Sequence, residues 1–320
     1  MKKVSVVMST YNTDKAVMEQ SINSILNQTY KNIEFIIVCD GNKEEYKRLK
    51  VIKDERIKLL LNDENKGLPY SLNLAIDNST GEYIARMDSD DIAEPYRIEK
   101  QVEYLEKHKE IAICGTEARL FGTQKGLKKI YLKNKEEIKV QLLFKATLIH
   151  PTVMGRKEIF KEYKYNEKYI VAQDFELWSR ISEKYEIGIL PIIGLNYRMH
   201  NSQASMAKKQ IQAELSREII RNNSKKITGK YDEKICYTLY VMGLREEMTK
   251  NNYKEISKNI DYILKENKNY NNKVLKKILY NRFFEIMLSK KIFPGNYDCI
   301  KKCMTIYNLK ELVRKIIYVK

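Results

Sequence analysis

Apolar and polar residues come in alternating blocks over the first 115 residues, each block about the length of one structural element. Residues 4–8, Val-Ser-Val-Val-Met, form a nearly continuous apolar run and predict a strand covered on both faces. Residues 16–26 place Met18, Ile22, Ile25 and Leu26 at helical spacing. Residues 33–39 and 57–61 read as further strands. Pro69 opens a helix over 70–76, because the first turn needs no N–H at that point. A strand ending at Met87, a helix from about 96 to 107 and a strand at 111–114 follow. The alternation predicts an α/β fold, a mainly parallel sheet between helices.

From about 117 to 200 the pattern is mixed. Strand-like pieces at 117–121, 148–154, 187–190 and 195–199 are interleaved with helices at 135–144 and 175–184. Beyond 207 the strand signal fades, and 208–222, 233–249, 253–265, 272–289 and 297–317 read as helices with lysine-rich outer faces. Asparagine clusters and Pro294-Gly295 separate them. These signals predict two domains, 1–205 and a C-terminal α-helical part over 206–320.

Charge sharpens that division. The chain carries +17 overall; residues 201–320 hold +14 of it and residues 1–200 only +3. A basic helical part suits nucleic acid, an anionic membrane face or an acidic substrate. Its tyrosines and lysines scatter over helices without a binding motif or stacking platform, so no nucleic acid is expected. Five cysteines, Cys39, Cys114, Cys236, Cys299 and Cys303, include no Cys-x-x-Cys pair and read as reduced thiols. The run after Met-Lys-Lys is too short for a signal segment, and no apolar stretch approaches the ~18 residues of a membrane span. The expected setting is cytoplasmic, with peripheral contact at the inner membrane face through apolar residues such as Ile278, Leu279, Phe283, Phe284, Ile316 and Ile317 beside lysines.

Candidate chemistry gathers where strands end. Asp88-Ser89-Asp90-Asp91 follows the strand ending at Met87, which delivers carboxylates to the carboxyl edge of a sheet. Hard oxygen ligands at that spacing suit Mg²⁺ or Mn²⁺, while helix capping and a solvated turn are the plainer alternative. Ser9-Thr10-Tyr11-Asn12 follows the first strand and lacks both glycine-rich phosphate fingerprints. Asp40-Gly41 ends the second strand; its carboxylate suits either the N3–H of a uracil or its own turn. Asn65 and Gly67 lie in a glycine turn that either lets backbone approach a ligand or simply begins a helix.

In this order the four pieces resemble the family-2 nucleotide-sugar glycosyltransferases of the GT-A fold. The resemblance continues through Pro95-Tyr96-Arg97-Ile98-Glu99-Lys100-Gln101, His150-Pro151-Thr152-Val153-Met154, Gln173-Asp174-Phe175-Glu176-Leu177-Trp178 and Tyr197-Arg198-Met199-His200, and closes at Ser205. It departs at Cys39, where the family usually has a first aspartate before the one matched by Asp40. The resemblance implies an inverting transferase that moves sugar from a UDP-sugar to a glycan or lipid-linked acceptor. It implies nucleotide-sugar contacts from Thr10, Tyr11, Asn12, Asp40, Asn65, Gly67, Arg86, Asp88, Ser89 and Arg198, with Mn²⁺ or Mg²⁺ on Asp88, Asp90 and His200. Asp174 matches the family's catalytic base. It starts a helix, so the alternative is a cap, and the helix dipole is expected to lower its pKa. His200 has a structural alternative, as lone histidines often do.

Overall fold

The computed structural model describes residues 1–132, 134–200, 208–245 and 248–292. The expected helix at 297–317, Pro294-Gly295, Cys299, Cys303, Ile316, Ile317 and Ser205 lie outside the described residues. Contacts divide the chain into two units: Met1–Lys135 with Thr147–Gln212, and Glu136–Ala146 with the chain from Ala213 onward.

In the first unit the opening run becomes β1 (Val4–Thr10), α1 (Lys15–Leu26), β2 (Ile33–Asp40), α2 (Lys43–Lys50), β3 (Ile57–Asn62), α3 (Leu68–Asp77) and β4 (Tyr83–Asp88). β5 (Ile92–Ala93), α4 (Arg97–Lys107), β6 (Ile111–Gly122) and β7 (Gly126–Lys128) follow. After α5 (Lys135–Gln141) come a 3₁₀ turn (His150–Thr152), β8 (Met154–Arg156), α6 (Lys157–Tyr163), α7 (Gln173–Lys184) and β9 (Glu186–Met199). The sheet order is β3-β2-β1-β4-β8-β6-β9-β5, with β7 paired to β6. β1 to β4 are mutually parallel, as their apolar runs require; β8 is antiparallel to β4 and β6, whereas β6 and β9 run parallel. The sheet is thus parallel in its first half and mixed beyond it.

Two expectations need correction. The strand expected over 148–154 is a 3₁₀ turn plus the short β8, because Thr152 turns its hydroxyl to the Ile149 carbonyl at 2.7 Å instead of continuing a ladder. The separate strands expected at 111–114 and 117–121 are one strand, β6, with register shifts against β9 near Thr116 and Glu117. Away from the functional edge, Glu34 holds β1, β2 and the turn before β4 together. Burial pushes its pKa up, but hydrogen bonds from Ser5, Thr80 and Lys3 outweigh this and pull it to about 2.

The second unit contains α8 (Lys209–Thr228) from Ala213 onward, α9 (Glu233–Leu244), α10 (Tyr253–Glu266) and α11 (Asn272–Ser289). Residues 136–146, read from sequence as part of the first domain, belong to this unit. Asn223 donates to the Leu142 carbonyl at 2.9 Å, and Lys277 pairs with Glu137 at 2.6 Å. Of the apolar residues proposed to meet a membrane, those among the described residues lie inward: Ile278, Leu279 and Phe283 are buried and Phe284 half-buried. Among the described residues, no helix is long and apolar enough to cross a membrane.

Candidate active site

The parallel register brings strand ends side by side at one edge: Ser9 opposite Asp88, Thr10 opposite Cys39, and Asp40 opposite Asn62. Each end then leads into a loop anchored by a buried polar group.

After β1, the chain turns through Asn12 in the left-handed region. The turn is held by Glu45 of α2, wholly buried, which accepts from the Thr10 hydroxyl at 2.9 Å and the Thr13 N–H at 3.0 Å. Thr10 therefore supports the turn, its hydroxyl bonded inside the protein. Tyr11 and Asn12 are the exposed members of this segment, and the Asn12 side-chain oxygen accepts from Asn42 at 2.6 Å.

At the end of β2, Asp40 accepts three hydrogen bonds from the following loop: Asn62 Nδ2 and the Lys66 N–H at 2.8 Å, and the Gly67 N–H at 2.9 Å. The carboxylate fixes the loop that carries Asn65, whose side chain is exposed at this edge. Gly41 makes the fit feasible. Its φ of +82° is left-handed, and a Cβ there would lie 2.3 Å from the Asn65 nitrogen. Gly41→Ala is accordingly expected to displace the loop and cost about 1–3 kcal/mol from backbone strain alone, read as a lowered denaturant midpoint. An unchanged midpoint would show that the loop does not depend on this approach.

The carboxylates at the end of β4 converge. Ligand oxygens of Asp88, Asp90 and Asp91 lie within 4.8 Å of one another. Their loop is held by two serines of α1 and by Gln28 just beyond its end. Ser21 donates to the Asp88 carbonyl at 2.7 Å, Ser24 Oγ accepts the Ala93 N–H at 3.0 Å, and Gln28 binds the Glu94 carbonyl at 2.9 Å and the Ile98 N–H at 3.0 Å. These three belong to no motif; their sequence signal is polar residues spaced three and four apart. Ser89 is within 2.7 Å of the Thr13 hydroxyl.

Buried Arg86 ion-pairs with Asp88, and its Nε and Nη1 have no hydrogen-bond partner. Asp90 Oδ2 lies 2.8 Å from His200 Nε2. The Arg198 N–H donates to Asp91 Oδ1 at 2.8 Å, and its Nε to the Asp90 carbonyl at 2.7 Å. The guanidinium stacks on Phe121, 4.5 Å from the ring centroid. Burial pushes the Asp91 carboxyl well above the usual range, and the Asp88 and Asp90 charges push it further. Burial likewise raises Asp88, with Arg86 opposing and Asp90 and Asp174 adding. Among the described residues, Asp91 Oδ2 is buried without a hydrogen-bond partner. Hard oxygen donors, an orphaned carboxylate oxygen and mutual repulsion fit a divalent cation.

Asp174 stands in the first turn of α7, whose preceding Ala172 is left-handed at φ 60°. Its Oδ1 accepts the Phe175 N–H at 2.8 Å. Asp88, Arg86 and Lys128 are close enough for their charges to act on it or it on them. Its pKa departs from the dipole-based expectation: burial raises it, and this outweighs the Phe175 hydrogen bond and the Arg86 and Lys128 charges. His150, behind this edge, is a core residue, bonded to the Tyr165 hydroxyl at 2.8 Å and packed edge-on against Trp178.

A parallel sheet edge bearing a carboxylate cluster, followed by a mixed sheet half, defines a GT-A-type nucleotide-sugar transferase fold. The family model for glycosyl transferase family 2 matches residues 5–164, and the chain belongs to that family. An uncharacterized glycosyltransferase of Haemophilus influenzae is 31% identical over 333 residues, covering 98% of this chain and 95% of the relative. The O-antigen biosynthesis glycosyltransferase WbnJ of Escherichia coli is 34% identical over 206 residues, 62% of this chain and 80% of that protein. Among solved structures, S. aureus TarS 1–349 in complex with UDP-GlcNAc superposes with a TM-score of 0.60 at 14% identity, over 98% of this chain and 92% of that one.

Proposed function

We propose that this glycosyltransferase moves a sugar from a UDP-sugar to a hydroxyl of a glycan or lipid-linked acceptor in cell-surface polysaccharide synthesis, with inversion at the sugar carbon. The observation that carries the reading is the convergence of Asp88, Asp90 and Asp91, with buried Arg86 ion-paired to Asp88. WbnJ is named for O-antigen biosynthesis, TarS was solved with UDP-GlcNAc and the Pyrobaculum calidifontis mannosyltransferase with GDP-Man and Mn²⁺. These names support a nucleotide-sugar donor and a divalent ion.

In the proposed reaction the acceptor oxygen attacks sugar C1 while Asp174 takes its proton. The C1–oxygen bond to the diphosphate breaks, and UDP leaves with the bonding pair. Asp174 serves as base from a fixed helix start. Arg86, buried and ion-paired with Asp88, holds that carboxylate at the site. Asp90 and Asp91, with Asp88 and His200, would hold Mn²⁺ or Mg²⁺, which supplies charge neutralisation for the departing diphosphate. Tyr11 and Asn65 line the nucleoside side, with Asp40 and Gly67 setting the loop between them. A UDP-release screen across nucleotide sugars, with and without Mn²⁺, tests this. Metal-dependent release from one UDP-sugar is expected; release from none, or release undiminished in excess chelator, overturns it.

The helical unit is proposed to bring the enzyme to the anionic inner leaflet through its lysines, since Ile278, Leu279 and Phe283 are interior. Each lysine near such a surface contributes about 1 kcal/mol before screening. The full chain is expected to co-sediment with anionic but not neutral liposomes, less as salt rises. Equal partition to both, or to neither, removes this role.

A further inference from the structure

The hairpin formed by β6 and β7 places a lysine where strand alternation ordinarily puts an apolar residue. Lys128 pairs opposite Ala118 of β6, which is fully buried and in turn pairs with buried Leu195 of β9. Paired residues share a sheet face, so Lys128 is directed to the inner face while its neighbour Leu127 is half exposed. Tyr197 lies two residues beyond Leu195 on that same face, and the Lys128 ammonium sits 4.9 Å from its ring centroid. The next residue, Arg198, is the one bonded to Asp91.

The surroundings of the ammonium point the same way. It makes no hydrogen bond or ion pair among the described residues, the Tyr197 ring being its recorded contact. Lys128 is exposed, and its ammonium is near enough to the site for the charges of Asp174 and Asp91 to raise its pKa against the lowering by desolvation. Held over Tyr197, next to the Arg198 that binds Asp91, the ammonium brings its N–H donors beside the base and the carboxylate cluster. In the proposed reaction, that is where negative charge grows on the departing diphosphate.

We infer that Lys128 is a binding residue for the nucleotide, its ammonium held by Tyr197 against the diphosphate. The inference rests on the nucleotide-sugar reading above and adds a residue that no motif indicates. A lysine turned inward on an edge strand also discourages edge pairing, and that role alone would leave nucleotide affinity unmoved.

The test is calorimetric binding of UDP, GDP, ADP and uridine to the full chain with Mg²⁺, for wild type, Lys128→Met and Lys128→Arg. Lys128→Met should weaken the diphosphate that wild type binds by roughly 10-fold or more. Uridine affinity and melting temperature should be unchanged, and Lys128→Arg should recover part of the loss. Undiminished diphosphate affinity in Lys128→Met, with wild type binding normally, overturns the inference and leaves the nucleotide reading standing. Equal loss of uridine binding also overturns it, since the effect would not lie at the phosphates. Wild type binding none of the diphosphates overturns both.

Discussion

Asp90→Asn is expected to lower sugar transfer by roughly 10²–10³-fold or more while melting near the wild-type temperature. Asparagine keeps the shape and an oxygen that can accept from His200, which lies 2.8 Å away. The side chain is 29% exposed, so no core packing depends on it. What is lost is one of three converging negative charges. The same cluster makes a second readout available. Burial raises the Asp88 and Asp91 pKa values, so the metal-free protein loses stability as pH rises through them and regains it as pH falls. A bound divalent ion offsets that repulsion, so Mn²⁺ should raise the wild-type melting temperature at neutral pH. Asp90→Asn should shrink this shift. Full activity in the variant, or an undiminished Mn²⁺ shift, would remove Asp90 from the ion.

The contrast between Asp88–Asp91 and Glu45 shows what the sequence discloses. The acidic stretch was legible because four residues in a row end an apolar strand, and order along the chain added Asp40, Asn65 and Asp174. Glu45 stands in a run of charged residues with no apolar period, yet it is fully buried and holds the turn after β1. The packing of α2 against β2 and β3 buries it while neighbouring Glu44 stays exposed. The other end of that contact was hidden for the same reason: the Thr10 hydroxyl turns inward to Glu45. Long-range pairing was equally hidden. That β6 and β9 run parallel with register shifts depends on partners more than 60 residues apart. The pKa of Asp174 went astray because the dipole of its own helix is a local property, whereas its burial comes from the rest of the fold. Lys128 escaped notice because its inward direction is set by hairpin register.

Asp174→Asn is expected to reduce turnover by roughly 10²–10⁴-fold with UDP-sugar affinity retained. Asparagine preserves an oxygen for the Phe175 N–H, 2.8 Å from Oδ1, so the start of α7 should hold. It also removes a carboxylate whose burial disfavours charge, which offsets any loss of helix-end attraction, and the melting temperature should stay near wild type. The pH profile gives the sharper prediction. Only the ionised carboxylate accepts a proton, and burial lifts its pKa above the ordinary 3.8. Activity of the wild type should therefore fall as pH is lowered through that raised value, at a higher pH than an exposed aspartate would give. The residual activity of Asp174→Asn should lack this acid limb. A variant that melts early yet turns over normally in its folded fraction would make Asp174 a helix-start residue and nothing more; an acid limb unchanged in the variant would assign the limb to another group.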